Sequence, residues 1–283
     1  MRFPAFRSLY VHSWGGQASQ MLAWNLYFIL QEKFPNRKIT FVHHNSGVTR
    51  REFGSEFKRD NKSVKSIDDY ELELKRFDIV RKFRRFLSWT FVKLGFVSHC
   101  DSLLSVDKMH SWIHSTRGSY NNIPISRERL EQIFSLFDIT IKGNSQYSNL
   151  IVIHYRLGDL LFLNSKSYVD RTSLTVLLDS LSSSYRGSNI ELFSDSPQIA
   201  RDLMESSQSH FNINFNQGDI KLIFEKGINA QIFIGSNSKI SHLIALHRLY
   251  NIEPKVTFMP INQDVNIWKL VDDTLINNHL LFY

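Results

Sequence analysis

The spacing of apolar residues along the chain changes period repeatedly, and each change marks an element. Ser8 to Trp14 predicts a first strand, Gly15-Gly16-Gln17 a tight turn, and Ala18 to Lys33 a helix with Met21, Leu22, Leu26, Ile29 and Leu30 on its apolar side. Lys38 to His44 predicts a second strand that runs into a polar loop holding His43, His44 and Glu52. Phe53 to Asp69 is charged and reads as loop or irregular helix. Tyr70 to Phe96 interleaves Arg81, Lys82, Arg84 and Arg85 with Phe83, Phe86, Trp89 and Phe91, the make-up of a basic amphipathic helix. Val97 to Asn122 mixes short apolar pieces, and Ser126 caps a short helix over Arg127–Phe137.

From Asn149 onward strands and helices alternate. Strands are predicted over Leu150–Tyr155, Ile190–Ser194, Phe211–Phe215, Gln231–Gly235 and, as the last, Val256–Met259. Helices are predicted over Ser173–Tyr185, Pro197–Glu205, Asp219–Gly227 and Lys239–Tyr250. Such alternation implies an α/β fold with a parallel sheet and right-handed crossovers. Asp138 to Ser148, with Lys142-Gly143-Asn144-Ser145, reads as a linker between two domains, 1–145 and 146–283. The last helix could pack back on the first domain.

In an open parallel sheet, ligands sit outside the carboxyl ends of the strands. Three polar clusters of the second half fall there. The first strand leads into His154, Arg156 and Asp159, with Gly158 allowing a sharp turn; the second leads into Ser194-Asp195-Ser196-Pro197; a later one leads into Gly235-Ser236-Asn237-Ser238-Lys239. Arg offers a planar fork of donors suited to a diphosphate, and Asp can orient that fork or act as a base. Ser236–Ser238 opens a helix, where free N–H groups and the helix dipole favour an anion. Each cluster could also be plain capping. Three on one edge, with an arginine, point to a nucleotide-diphosphate cradle. Near the N-terminus, strand, Gly-rich turn and helix likewise bring the backbone of Gly15, Gly16 and Gln17 close to a ligand.

Composition narrows the partners. The chain has 283 residues, 42% of them hydrophobic and 22 of them Phe, so it folds around a sizeable core. A net charge of +7 and a pI near 9.4 suit an anionic partner. One cysteine excludes a disulfide framework and a cysteine-built zinc site. No signal peptide and no apolar run near the ~18 residues of a spanning helix is present, so a cytoplasmic protein is expected. Tyr70–Phe96 reads either as a domain helix with a wet basic face or as a segment lying on an anionic membrane surface. Asp107, His110 and His114 could line one helix face as metal ligands. No Asp-x-Asp pair for Mg²⁺ or Mn²⁺ and no P-loop occurs. No helix-turn-helix, zinc-finger or aromatic RNA-binding signature is present, so no nucleic-acid partner is expected.

His154-Tyr155-Arg156-Leu157-Gly158-Asp159 resembles the His-x-Arg-x-Gly-Asp motif of the bacterial α-1,2-fucosyltransferase family and its α-1,6- and protein O-fucosyltransferase relatives. Phe193-Ser194-Asp195-Ser196 resembles the second motif of that family, where an acidic residue is commoner than Ser196. Ser236-Asn237-Ser238-Lys239-Ile240-Ser241 resembles its third, with His242-Leu243 replacing an aromatic pair. Gly15-Gly16-Gln17-Ala18-Ser19-Gln20-Met21 resembles its Gly-rich loop in altered form. The resemblance implies a GT-B architecture, two Rossmann-like domains facing a central cleft, with the donor held mainly by the C-terminal one. It implies metal-independent, inverting transfer from GDP-fucose to an oligosaccharide or lipid-linked glycan of a surface polysaccharide such as O-antigen. Catalysis would fall to Arg156, His154 and Asp159. Arg156 would neutralise the leaving diphosphate, His154 would support the same phosphate or Arg156, and Asp159 would orient Arg156. Gly15, Gly16, Gln17, Ser194, Asp195, Ser236, Asn237, Ser238 and Lys239 would help bind the nucleotide sugar. His43, His44, Glu52 and Asp101 are candidates for the acceptor base. No cofactor is expected. A UDP-hexose or UDP-galactofuranose donor, or a non-catalytic scaffold subunit, are the alternatives.

Overall fold

The structure is a computed structural model of the chain. It describes residues 8–13, 16–44, 64–67, 86, 90–91, 93–110, 113–139, 141, 147, 149–157, 169–185, 187–205, 211–217, 219–251, 255–261 and 280–283. Gly15, Glu52, Gly158 and Asp159 lie outside these residues, as do most of the basic segment 70–96, most of the linker, and positions 262–279. The chain forms two compact units, Met1–Phe137 and Asp138–Tyr283.

The N-terminal unit is built on strands β1 (Ser8–Ser13), β2 (Lys38–His44), β3 (Val64–Ile67), β4 (Val97–His99) and β5 (Ser115–Arg117). They form one parallel sheet in the order β3-β2-β1-β5-β4. β2 occupies the span its pattern predicts. Strand β3 corrects the loop-or-helix expectation for Phe53–Asp69: Val64 to Ile67 pairs with Phe41 to His44 of β2. A four-residue edge strand is too short for its period to show among charged neighbours. Helix α1 (Gln17–Lys33) buries Trp24 against Phe41 of β2, the rings stacked 4.4 Å apart. Helix α2 (Leu103–Asp107) ends at Asp107 itself, so Asp107, His110 and His114 do not share a helix face. His114 instead packs edge-on against Tyr10. Helix α3 (Arg127–Leu136) is capped by the Ser126 hydroxyl, as its sequence predicts.

The C-terminal unit has strands β6 (Leu150–His154), β7 (Asn189–Phe193), β8 (Ile213–Asn216), β9 (Ile232–Ile234), β10 (Val256–Met259) and β11 (Leu280–Phe282). All pairs are parallel, in the order β8-β7-β6-β9-β10-β11. Renumbered within the unit this is 3-2-1-4-5-6, the order of a dinucleotide-binding Rossmann domain. The α/β class with two parallel, Rossmann-like sheets is therefore as expected. The sixth strand is a correction: the sheet ends on β11 and not on β10. Only three residues long and twenty residues downstream, β11 carries no strand signal of its own.

Helices α4 (Arg171–Ser182), α5 (Pro197–Glu205), α6 (Ile220–Asn229) and α7 (Lys239–Tyr250) link the strands. α4 begins two residues earlier than its apolar pattern suggests, because the Asp170 carboxylate accepts the Thr172 N–H. Leu174, Leu177, Leu178 and Leu181 of α4 bury against Ile151 and Ile153 of β6. Alternation along β6 sends Val152 and His154 to the other face, where α6 and α7 lie.

That other face is tied by Arg248, which is 3% exposed. Its guanidinium donates to the carbonyls of Gly227, Ile228, Ala230, Gln231 and Val256 and to the Thr257 hydroxyl, at 2.7 to 3.2 Å. One side chain so joins α6, β9, α7 and β10. Burial lowers its pKa to about 9, still above neutral, so it remains a cation held by peptide dipoles. Arg248→Met keeps the stem and removes the donors. It is expected to cost about 3 kcal/mol, since buried carbonyls lose charge-assisted partners. The check is urea unfolding: the midpoint should fall with the slope unchanged. Arg248→Lys, which keeps the charge without the fork, should recover only part of the loss. A midpoint for Arg248→Met equal to the parent's would refute this role.

Candidate functional site

β6 and β9 are neighbours in the sheet, with Ile153 beside Ile234, and here the strand order reverses. Two of the three predicted clusters therefore flank one crevice. Phe193 at the end of β7 pairs with His154 and brings the third alongside. The described members, His154, Arg156, Ser194, Asp195, Ser236, Asn237, Ser238 and Lys239, all lie on this carboxyl edge.

Hydrogen bonds stitch the three loops together. The Leu157 N–H donates to the Asp195 carboxylate at 2.9 Å, and the Ser196 N–H to the Ser194 hydroxyl at 3.1 Å. The Arg156 N–H donates to the Ser236 hydroxyl at 3.4 Å. The Ser236 N–H donates to the Ser241 hydroxyl at 3.0 Å, and that hydroxyl meets His154 Nδ1 at 2.7 Å. Ser238 caps α7 by accepting from the Ile240 N–H. Asp195 and Ser194 thus spend oxygens on holding the tail of β6 and the start of α5. Gly235 admits close packing at the same point: a Cβ there would fall 2.4 Å from Met259 Sδ and 3.0 Å from Ser241 Cβ.

Two cations meet at this edge. Arg156 is half-buried. Burial, and then the charge of Arg156, push the Lys239 ammonium down to about 8. Burial and Arg156 also push the His154 imidazole down to about 3, so the ring is neutral at physiological pH. Such a ring supplies a hydrogen bond rather than a charge.

The N-terminal unit also gathers polar groups on its carboxyl edge. Gly16 precedes α1 without a side-chain cap, and Gln17 is the first residue of the helix. His43 and His44 point to opposite faces of β2. His43 shares the face of Phe41, which α1 covers; burial and then His44 lower its pKa to about 4. His44 turns to the other face, where its Nε2 lies 2.7 Å from Nδ1 of His12. Asp101 follows β4, accepts from the N–H and hydroxyl of Ser119 at 2.9 and 3.1 Å, and pairs with His99 at 2.8 Å. This clasp closes over Gly118, whose φ of +153° and contact with the Cys100 carbonyl admit no side chain.

Three residues reach these edges that pattern reading did not assign to a site. His12 stands two residues before the Gly-rich turn, and nothing local pairs it with His44. Ser241 lies five residues beyond Ser236, inside a helix. The Tyr283 hydroxyl, from the far end of the chain, donates to the Gly235 carbonyl at 2.8 Å. Among the described residues no group of three or more His, Cys, Asp and Glu could hold a metal ion.

No protein-family model and no curated protein matches the chain. Among solved structures it is similar to the E. coli heptosyltransferase WaaC with ADP, at 10% identity over 97% of this chain and 92% of that one, TM-score 0.46. It is similar to a family 9 glycosyl transferase from Veillonella parvula, at 8% identity over 99% of this chain and 88% of that one, TM-score 0.49. It is similar also to the fucosyltransferase NodZ from Bradyrhizobium, at 12% identity over 86% of this chain and 93% of that one, TM-score 0.44.

Proposed function

We propose that the protein is an inverting, metal-independent glycosyltransferase of GT-B architecture that moves a sugar from a nucleotide-diphosphate donor, GDP-fucose foremost, to a saccharide acceptor in bacterial surface polysaccharide synthesis. The observation that carries this reading is the meeting of Arg156 and Lys239 at the point where the Rossmann strand order reverses. Burial and the charge of Arg156 disfavour the Lys239 ammonium; an anion beside both cations stabilises it, and a diphosphate supplies two charges. In the reaction the bond from the anomeric carbon to the diphosphate oxygen breaks. The charge left on that oxygen is met by Arg156 and Lys239, the contribution expected to dominate the rate. Asp159 belongs to the same motif and would orient Arg156. Asn237 and the start of α7 face the same crevice and would hold the rest of the nucleotide.

The acceptor oxygen must lose a proton to a base. Of the four candidates, Glu52 lies outside the described residues, Asp101 is clasped to Ser119 and His99, and His43 is buried under α1. We assign the role to His44, with His12 as its hydrogen-bonded partner. The acceptor is a lipid-linked glycan in this reading, met at the inner face of the cytoplasmic membrane through 70–96. Phe86, Phe91 and Leu94 at the end of that segment are exposed. No helix among the described residues is long and apolar enough to cross a membrane.

Thermal shift against GDP, UDP, CDP and ADP, with EDTA present, tests the donor site. A nucleotide at 100 times its dissociation constant stabilises by about 2.7 kcal/mol. GDP should give the largest shift, and Arg156→Ala should abolish it. Affinity should be steady below pH 8 and fall above it as Lys239 loses its proton, a slope that Lys239→Arg removes. UDP selectivity would keep the fold and discard fucose; silence towards every nucleotide would favour a scaffold. His44→Ala should leave the nucleotide response intact and abolish sugar transfer; full transfer by this variant would move the base elsewhere. Liposomes of anionic lipid should float the protein, and Arg81→Glu with Arg84→Glu and Arg85→Glu should prevent it. Equal flotation of both would sink the membrane role.

A further inference from the structure

We propose that Ser241 is a positioning residue that locks His154 in the tautomer carrying its proton on Nε2, so that His154 meets the ligand as a neutral hydrogen-bond donor. This rests on the diphosphate reading above for the identity of the ligand, and on the hydrogen-bond geometry alone for the tautomer. Ser241 is fully buried in the first turn of α7. Its hydroxyl oxygen receives the Ser236 N–H at 3.0 Å and stands 2.7 Å from His154 Nδ1. A hydroxyl has one proton to give. The oxygen has a second lone pair, but among the described residues the hydroxyl proton has no acceptor other than Nδ1, so it goes there, and the chain Ser236 N–H, Ser241 O–H, His154 Nδ1 runs in one direction, each bond polarising the next.

A neutral imidazole has one N–H, so the ring proton then sits on Nε2. His154 is 94% buried, its exposure being 6%, and Nε2 takes no hydrogen bond from the described residues. Nε2 is not among the fully buried atoms, so its N–H is open to an acceptor supplied from outside. The reverse tautomer would turn a bare lone pair towards the same crevice and repel an anion held by Arg156 and Lys239. The closeness of Gly235 to Ser241 Cβ explains how the hydroxyl is kept in place: the binding loop lies directly on it. His154 is thereby a donor that needs no charge, and it adds a directional contact beside the two cations.

The test uses the full-length protein with its eleven histidines labelled with ¹⁵N. Long-range ¹H–¹⁵N spectra at pH 7 report each ring's tautomer, and His154→Gln identifies the His154 signals. The wild-type spectrum should show His154 neutral, protonated at Nε2 and bare at Nδ1. Ser241→Ala should shift the Nδ1 resonance and mix the tautomers, and Ser241→Thr, which keeps a hydroxyl, should restore the pattern. In thermal-shift titrations with GDP and inorganic pyrophosphate, Ser241→Ala should weaken binding about tenfold, one hydrogen bond's worth, and Ser241→Thr much less. A wild-type ring protonated at Nδ1, or a His154 pattern unchanged in Ser241→Ala, would overturn the proposal. Should Ser241→Ala fail to fold, the wild-type and Ser241→Thr spectra decide. The expected tautomer together with no response to GDP or pyrophosphate would sink the diphosphate reading and leave the hold of Ser241 on His154 standing.

Discussion

The pairing of β6 with β9 is the contact on which the chemistry of the C-terminal unit depends. Three residues of each, Ile151 to Ile153 and Ile232 to Ile234, run side by side. From β6 the sheet extends one way through β7 and β8; from β9 it extends the other way through β10 and β11. Right-handed crossovers then put the helices of the two halves on opposite faces, and the loops leaving the central pair must part. The gap between them is a consequence of topology and needs no special residue to open it. Residues are needed to give it an edge. Ser236, Ser241 and Asp195 supply that edge by accepting backbone N–H groups, and Arg156, Lys239 and His154 stand along it.

The N-terminal unit follows the same rule with a different result. Its strands are also parallel, so its polar residues also collect at one edge, but strand alternation divides them. His43 is a core histidine made neutral by burial, while its neighbour His44 belongs to the opposite face and to His12. Adjacent residues of one type in one strand can therefore hold unlike positions. Asp101, placed at the outer strand of the sheet, stabilises a glycine turn and has both oxygens engaged.

Where an element is long and its period clear, the sequence shows it: β2, α5 and α7 begin and end where their patterns do. The three clusters at the carboxyl edge were legible for the same reason, since strand direction follows from strand–helix alternation. The short strands β3, β4, β5 and β11 were not, because three or four residues hold at most two periods of alternation and owe their conformation to a neighbouring strand. The hydrogen-bond partners were not legible either. Asp195 reads as a ligand contact from its place after β7, and its oxygen goes to Leu157. Ser241 reads as the last letter of a motif, and its hydroxyl proves to be the link between α7 and β6. Such links join residues 87 positions apart, and no local pattern encodes them.

Arg248 has a consequence beyond the packing it secures. An ion pair weakens when acid protonates its carboxylate or when salt screens it. The partners of Arg248 are carbonyls and one hydroxyl, which do not titrate, and burial excludes counterions from them. The frame that holds α7 against β9 and β10 is therefore blind to ionic strength and to mild acid. The mouth of the crevice, built from Arg156 and Lys239, responds to salt, and to mild alkali near pH 8 where Lys239 loses its proton. Salt and mild alkali can thus regulate what enters the site without loosening the scaffold that shapes it.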